Sequence, residues 1–303
     1  MPKALGRALR RGLAAAAALA LTSCQQTGVL DPQGPVALAE RLLMINSTEI
    51  MLVVVVPVVL ATLGFAWWYR ASNDRANHSP DWDYEGSVEF VVWAIPALVV
   101  ILLGGVCWIG THELDPKAPL ANFEVKPLRV DVVALDWKWL FIYPDEQIAT
   151  VNQLVIPAGK PVAFELTSAT VMNSFFVPQL GSQIYTMGGM TTHLNLMASK
   201  PGNFEGYSAQ FSGDGFADMR FVASAVSTGD FDAWVAKVRG SGSPLDDTAY
   251  TQLAKPSEKV PPTTYRSVDP DLFGRIVDGT ARNPDGAKTG DAWCPPVRQA
   301  AGG

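Results

Sequence analysis

The sequence predicts a membrane protein: a two-helix transmembrane hairpin near the N-terminus, then an all-β sandwich that closes with short helices. Two apolar runs carry the first part. Ile50 to Tyr69 has no charged residue and Val88 to Gly110 has only Glu89, and each is long enough to cross a bilayer. The second part rests on the stretch from Leu128 to Val226, which breaks into short segments of alternating polarity bounded by turn residues. Composition agrees, because 303 residues with 48% hydrophobic and 17% charged content leave room for a membrane part and one globular domain. A net charge of -6 argues against nucleic acid as a partner.

Taken in order, residues 1–23 read as an export signal. Lys3, Arg7, Arg10 and Arg11 precede a short Ala/Leu run from Leu13 to Leu21, too short to span. The run ends in Leu21-Thr22-Ser23-Cys24, which resembles the bacterial lipoprotein box. Cys24 is then the acylated first residue of the mature chain, a reading preferred over an ordinary cleavage site beside a chance cysteine. Cys107 lies in an apolar run and Cys294 in a polar tail, so no disulfide framework is implied.

Residues 24–46 form a periplasmic N-terminal segment, 47–70 the first transmembrane helix and 87–110 the second. Trp67, Trp68, Tyr69 and Arg70 end the first span as an interfacial belt, and Pro57 is absorbed as a kink. The loop 71–86 carries Arg75 but also Asp74, Asp81, Asp83 and Glu85, so loop charge does not orient the hairpin. With Cys24 outside, two spans return the chain to the outside, and everything beyond Thr111 is periplasmic.

After a connector with Pro116, Pro119 and Pro127, the segment 125–226 is the sandwich. Leu128, Val130, Val132 and Ala134 alternate with Arg129 and Asp131. Period two also puts Trp137, Trp139, Phe141 and Tyr143 on one face. Core packing is the preferred reading for the last three, while Trp137 and Trp139 are also candidates for an interface. Val151 to Ile156, a turn at 157–161 and Val162 to Leu166 read as a hairpin; Thr191 to Leu196 and Met219 to Val226 add strands. Residues 227–278 read as a helical segment, with Phe231, Trp234, Val235 and Val238 on one helix face. Beyond Gly240 only Asp269 to Val277 looks ordered, and 279–303 reads as a disordered tail.

The most specific stretch runs from Gly206 to Phe221, where Ser208, Gln210, Ser212, Phe216 and Met219 stand in the order S-x-Q-x-S-x-x-x-F-x-x-M. It resembles the C-x-E-x-C-x-x-x-H-x-x-M copper loop of oxidase subunit II, emptied of its thiolates and imidazole. Upstream, Val171-Met172-Asn173-Ser174-Phe175-Phe176-Val177-Pro178 is similar to the segment that holds the first histidine of that site, with Asn173 in its place. Soft copper sites need thiolate, imidazole and thioether together, and only Met219 remains. Gln210 replaces the glutamate that lends a carboxylate to a hard ion, and an amide is a weaker ligand. The pattern resembles subunit II of the bo3-type ubiquinol oxidases over roughly residues 24 to 278.

That resemblance implies a cupredoxin-like Greek-key domain and a role in a proton-pumping quinol oxidase of the bacterial inner membrane. It implies no cofactor in this chain, with haem and copper in the partner subunit I. The implied partners are subunit I, further small membrane subunits and lipid, with no cytochrome c. Glu89 then stands at the entrance of a proton path, weighed against a carboxylate that simply reaches water at the membrane edge. The alternatives are a free-standing lipoprotein module with a cupredoxin-like domain, or a copper-less relative of cytochrome c oxidase subunit II. His78, His112 and His193 share no ligand spacing, and no nucleophile constellation or phosphate loop appears.

Overall fold

The structure is a computed structural model, and it describes residues 28–77, 79, 81–120 and 125–281. The signal segment with Cys24, together with His78, Cys294 and the tail from 282, lies outside the described residues.

Helix α1 is Pro35–Trp68 and α2 is Gly86–Glu113. Both are long and apolar enough to cross a membrane, and their apolar windows are unburied within the chain. Helix α1 begins well before the expected residue 47. Its 34 residues make a rod of about 50 Å against a hydrocarbon layer of about 30 Å. Its first turns therefore project beyond an apolar slab and dock on the β domain. Ala37 N donates to Leu180 O at 3.3 Å, Gln33 N to Gln179 O at 2.7 Å, and Ser199 N to Gln33 O at 2.8 Å. Ser182 Oγ donates to Glu40, whose carboxyl burial holds above its usual range. The two helices meet where Gly110 lies against the Leu43 side chain, and a Cβ at 110 would come within 2.9 Å of its methyl group.

The β domain has a seven-stranded and a five-stranded sheet. In spatial order the first holds β11 (Ser243–Leu245), β12 (Thr263–Val268), β3 (Ile148–Val151), β2 (Lys138–Tyr143), β1 (Leu128–Leu135), β5 (Val162–Ser168) and β8 (Thr192–Leu196). The second holds β4 (Gln153–Pro157), β10 (Arg220–Val226), β9 (Gly202–Ser208), β6 (Asn173–Phe176) and β7 (Ile184–Thr186). Helices α3 (Thr228–Gly240), α4 (Asp247–Leu253) and α5 (Leu272–Val277) follow or separate the last strands.

Alternation along β2 serves two layers. Trp139, Phe141 and Tyr143 point between the sheets, into a core shared with Phe164, Phe175, Phe204 and Phe221. Leu140 and Ile142 point outward with Val133 and Leu135, into a second core closed by Leu245, Tyr250, Leu272 and Ile276.

Four expectations change. The stretch Val151 to Ile156 is two strands, because Asn152 takes φ 54° and passes the chain from one sheet to the other. The expected hairpin across 157–161 therefore does not pair: β4 runs beside β10, and β5 lies between β1 and β8. The segment 227–278 is not helical alone but adds β11 and β12 to the seven-stranded sheet, through Thr263↔Val151 and Tyr265↔Ala149. Its apolar residues are sparse because they cover only one face of an existing sheet. Packing also reaches into the segment read as a tail, since Ala281 is buried in the outer core.

Candidate functional site

The loop between β9 and β10 is closed at its base by backbone. Ser208 N donates to Met219 O at 3.1 Å, just outside the Tyr207↔Arg220 pair of the ladder. Gly213, at φ 108°, turns the chain into a short 3-10 helix, Asp214–Asp218. Strand β6 lies beside β9 with Phe175 opposite Ser208, which brings Asn173 to the same end.

Four of the six positions singled out from the loop pattern thus converge: Asn173, Ser208, Ser212 and Met219. Ser208 Oγ lies 3.0 Å from Asn173 Oδ1 and 3.1 Å from Gln210 O, and its one proton serves either acceptor. Asn173 Nδ2 donates to Val171 O at 3.1 Å, and Ser212 Oγ sits 4.0 Å from the Met219 sulfur. Gln210 contributes its carbonyl oxygen. Phe216 leaves the cluster and packs edge-on to Phe211, with ring centres 5.5 Å apart.

These groups satisfy one another. Hydroxyls, an amide and a single thioether do not fit a dinuclear copper centre, which needs thiolates and imidazoles. Among the described residues no group of three His, Cys, Asp or Glu side chains is placed to hold a metal ion.

Beneath the loop lies an aromatic floor. Phe175 stacks on Phe221 at 5.2 Å and 13°, and Trp139 meets both rings edge-on at 5.5 and 5.9 Å. Trp139 is fully buried, so of the two tryptophans proposed for an interface it is a core residue. Trp137 is not on the strand face that period two assigned it. It occupies the turn before β2 at φ 62°, where its indole N–H donates to Ser212 O at 3.1 Å.

Two buried charged side chains escaped the sequence reading. Lys138 is fully buried; its ammonium donates to Lys255 O and Ser257 Oγ at 2.7 Å and to Asp136 O at 3.2 Å, and burial lowers its pKa to about 8. Asp131, on the outer face of β1, is pushed up to about 7 by burial, with the Arg129 guanidinium opposing at 3.8 Å. The available signal was a lysine inside Trp-Lys-Trp and an aspartate between valines. Glu89 stands in the first turn of α2, where its carboxylate accepts from the Trp93 indole at 3.2 Å.

The comparisons match this architecture. Residues 124–226 fit the model of the cytochrome c oxidase subunit II periplasmic domain, and residues 239–280 that of the COX aromatic rich motif. The chain is 50% identical over 277 residues to the cytochrome bo(3) ubiquinol oxidase subunit 2 of Pseudomonas aeruginosa, covering 91% of this chain and 83% of that one. It is 49% identical over 276 residues to the ubiquinol oxidase subunit 2 of Acetobacter aceti, covering 91% and 89%. To the Pseudomonas putida cytochrome bo(3) ubiquinol oxidase subunit 2 it is 52% identical over 260 residues, covering 86% and 82%.

Proposed function

Because the chain belongs to the ubiquinol oxidase subunit II family, we propose that it is the copper-free, structural subunit of a proton-pumping ubiquinol oxidase. Electrons pass from ubiquinol to oxygen at haem and copper centres of the partner subunit I, and this chain has no redox centre of its own. The observation that carries this reading is the Ser208, Asn173 and Gln210 contact, which fills the place of a metal bridge with hydroxyl and amide groups. A hydroxyl near neutral pH is not an anionic ligand, and Met219 alone binds copper weakly.

The test is elemental analysis of the periplasmic segment 125–281 after dialysis against a chelator-free buffer. The segment extends past Gly240 because the later strands close the outer core. We expect copper far below one per chain; a stoichiometric content overturns the reading.

The hairpin sits in the bacterial inner membrane, with the β domain and α1's first turns on the periplasmic side. Cys24 carries the lipid, which mass spectrometry of the mature N-terminus checks directly. Glu89, at the opposite end of α2 from the β domain, is the entrance of a proton path into subunit I. An ionisable residue inside a spanning segment is a functional candidate by default, and the edge position lowers its desolvation cost. Glu89→Gln in the assembled oxidase should slow haem reduction while leaving assembly and the oxidative phase unchanged. Unaltered rates of both phases across pH, relative to the unsubstituted enzyme, reduce Glu89 to a surface carboxylate.

A further inference from the structure

Trp137 and Lys138 are neighbours in sequence that hold two different loops. The Trp137 backbone is left-handed at φ 62°, a conformation that costs a bulky residue about 1–3 kcal/mol and persists only where the surroundings impose it. Those surroundings are the tip loop. The indole N–H is bonded to Ser212 O, and the ring lies flat against Gly213 and Gly215; a Cβ at Gly215 would come within 2.5 Å of it. The same Cβ would come within 2.8 Å of Glu258 Cγ, so the C-terminal loop touches the tip loop there.

One residue on, Lys138 turns to the other side of the backbone. Among the described residues its ammonium forms no ion pair, and it is held by Lys255 O, Ser257 Oγ and Asp136 O. Asn152 adds a second fastening, donating to Val260 O at 2.8 Å while its side-chain oxygen accepts from Trp139 N at 2.9 Å. The loop 255–260 is thus fixed at one end to Lys138, next to Trp137, and at the other to Asn152, which is bonded to Trp139 N.

We propose that residues 255–260 are an internal clasp that sets the conformation of the 206–219 loop, so that the C-terminal segment and the vestigial metal loop loosen together. The tip loop's backbone bonds are few: Ser208 N to Met219 O and Ala209 N to Ser174 O at its base, and Phe216 N to Gly213 O and Met219 N to Phe216 O within it. With no metal ligand set to tie β9 to β10 above that base, the order of the loop depends on Trp137, and Trp137 depends on the clasp. A loop held this way opens at the free energy of its weakest fastening, in a unit that includes both partners.

The test is hydrogen exchange by mass spectrometry on the full chain, purified within its detergent-solubilised oxidase complex. Lys138→Met keeps the side-chain length and removes all three donors. Peptides covering 255–260 and 209–219 should both exchange about tenfold faster than in the unaltered protein. The substitution Ser257→Ala removes a clasp acceptor of the Lys138 ammonium without removing a contact to the tip loop, and decides the matter if the first variant is not recovered. It should speed exchange in 209–219 by a comparable factor. Arg239→Ala, which cuts the bond to Glu146 at the other end of β2, should leave both peptides unchanged. An unchanged rate in 209–219, with or without a faster 255–260, overturns the proposal.

Discussion

The inner and outer layers of the β domain use alternate residues of the same strands and obey different rules. Inside, Trp139, Phe141, Phe175 and Phe221 interlock, and the buried Tyr143 hydroxyl is bonded to both the N–H and the carbonyl of Val155 at 2.9 and 3.0 Å. Outside, the side chains are mostly aliphatic, but the same sheet face also carries the buried Lys138 and Asp131, and Lys138 is bonded to the C-terminal segment. The inner layer is sealed by residues that precede Gly240; the outer one needs a partner segment, and its polar groups tell that segment where to sit. An aromatic core gains from area alone, whereas a layer pinned by desolvated charges inherits a dependence on pH.

The contrast breaks first at its strongest point. Phe175→Ala removes the ring that four other aromatics contact, and should cost about 3–5 kcal/mol, read as a shift of the denaturant midpoint at constant slope. A loss near 1 kcal/mol would mean that the inner layer repacks as easily as the outer.

The outer layer is probed by Asp131→Asn. The carboxyl is pushed up to about 7 in the folded protein and returns to the ordinary carboxylate range, near 3.8, when unfolded. Between those values the folded state binds the extra proton, so stability falls as pH rises through the window. Above it a buried charge persists. Asparagine removes that burden, raising stability at pH 8 by up to about 4 kcal/mol, from roughly three units at 1.36 kcal/mol each, with little change at pH 4. Thermal unfolding of both proteins across pH 4–8 checks this; parallel curves would assign no titration to Asp131.

The smallest effect belongs to the emptied loop. Ser208→Ala deletes one neutral hydrogen bond to Asn173 or Gln210 and should cost about 1 kcal/mol. A cost above that of Phe175→Ala would show that the polar cluster, not the aromatic floor, holds this end together.

Much of the fold was legible. Uninterrupted apolarity marks the spans wherever they pack, and period two marked β1, β2, β8 and β10. What escaped was the partnering of strands. Nothing local in Asn152 says that it turns the chain between sheets, and nothing in Thr263–Val268 says which edge it joins. The loop positions were legible as a set, and Asn173, Ser208, Ser212 and Met219 do converge. Phe216 does not, because an apolar ring with no ligand role is free to pack on Phe211 instead.

By itself, the sequence determined the chemistry: two segments that water rejects, a sandwich pattern, and a loop whose side chains at 208–219 are hydroxyl, amide, phenyl and one thioether. These are properties of residue types and need no neighbour to express them. Only the tertiary structure decided that Trp139 is core and Trp137 a left-handed turn, that Lys138 fastens a loop more than a hundred residues away, and that α1 starts at Pro35 to dock on the β domain. Burial, backbone handedness and long-range hydrogen bonds depend on what comes to lie opposite a residue, and that is settled when sheets and helices close on each other.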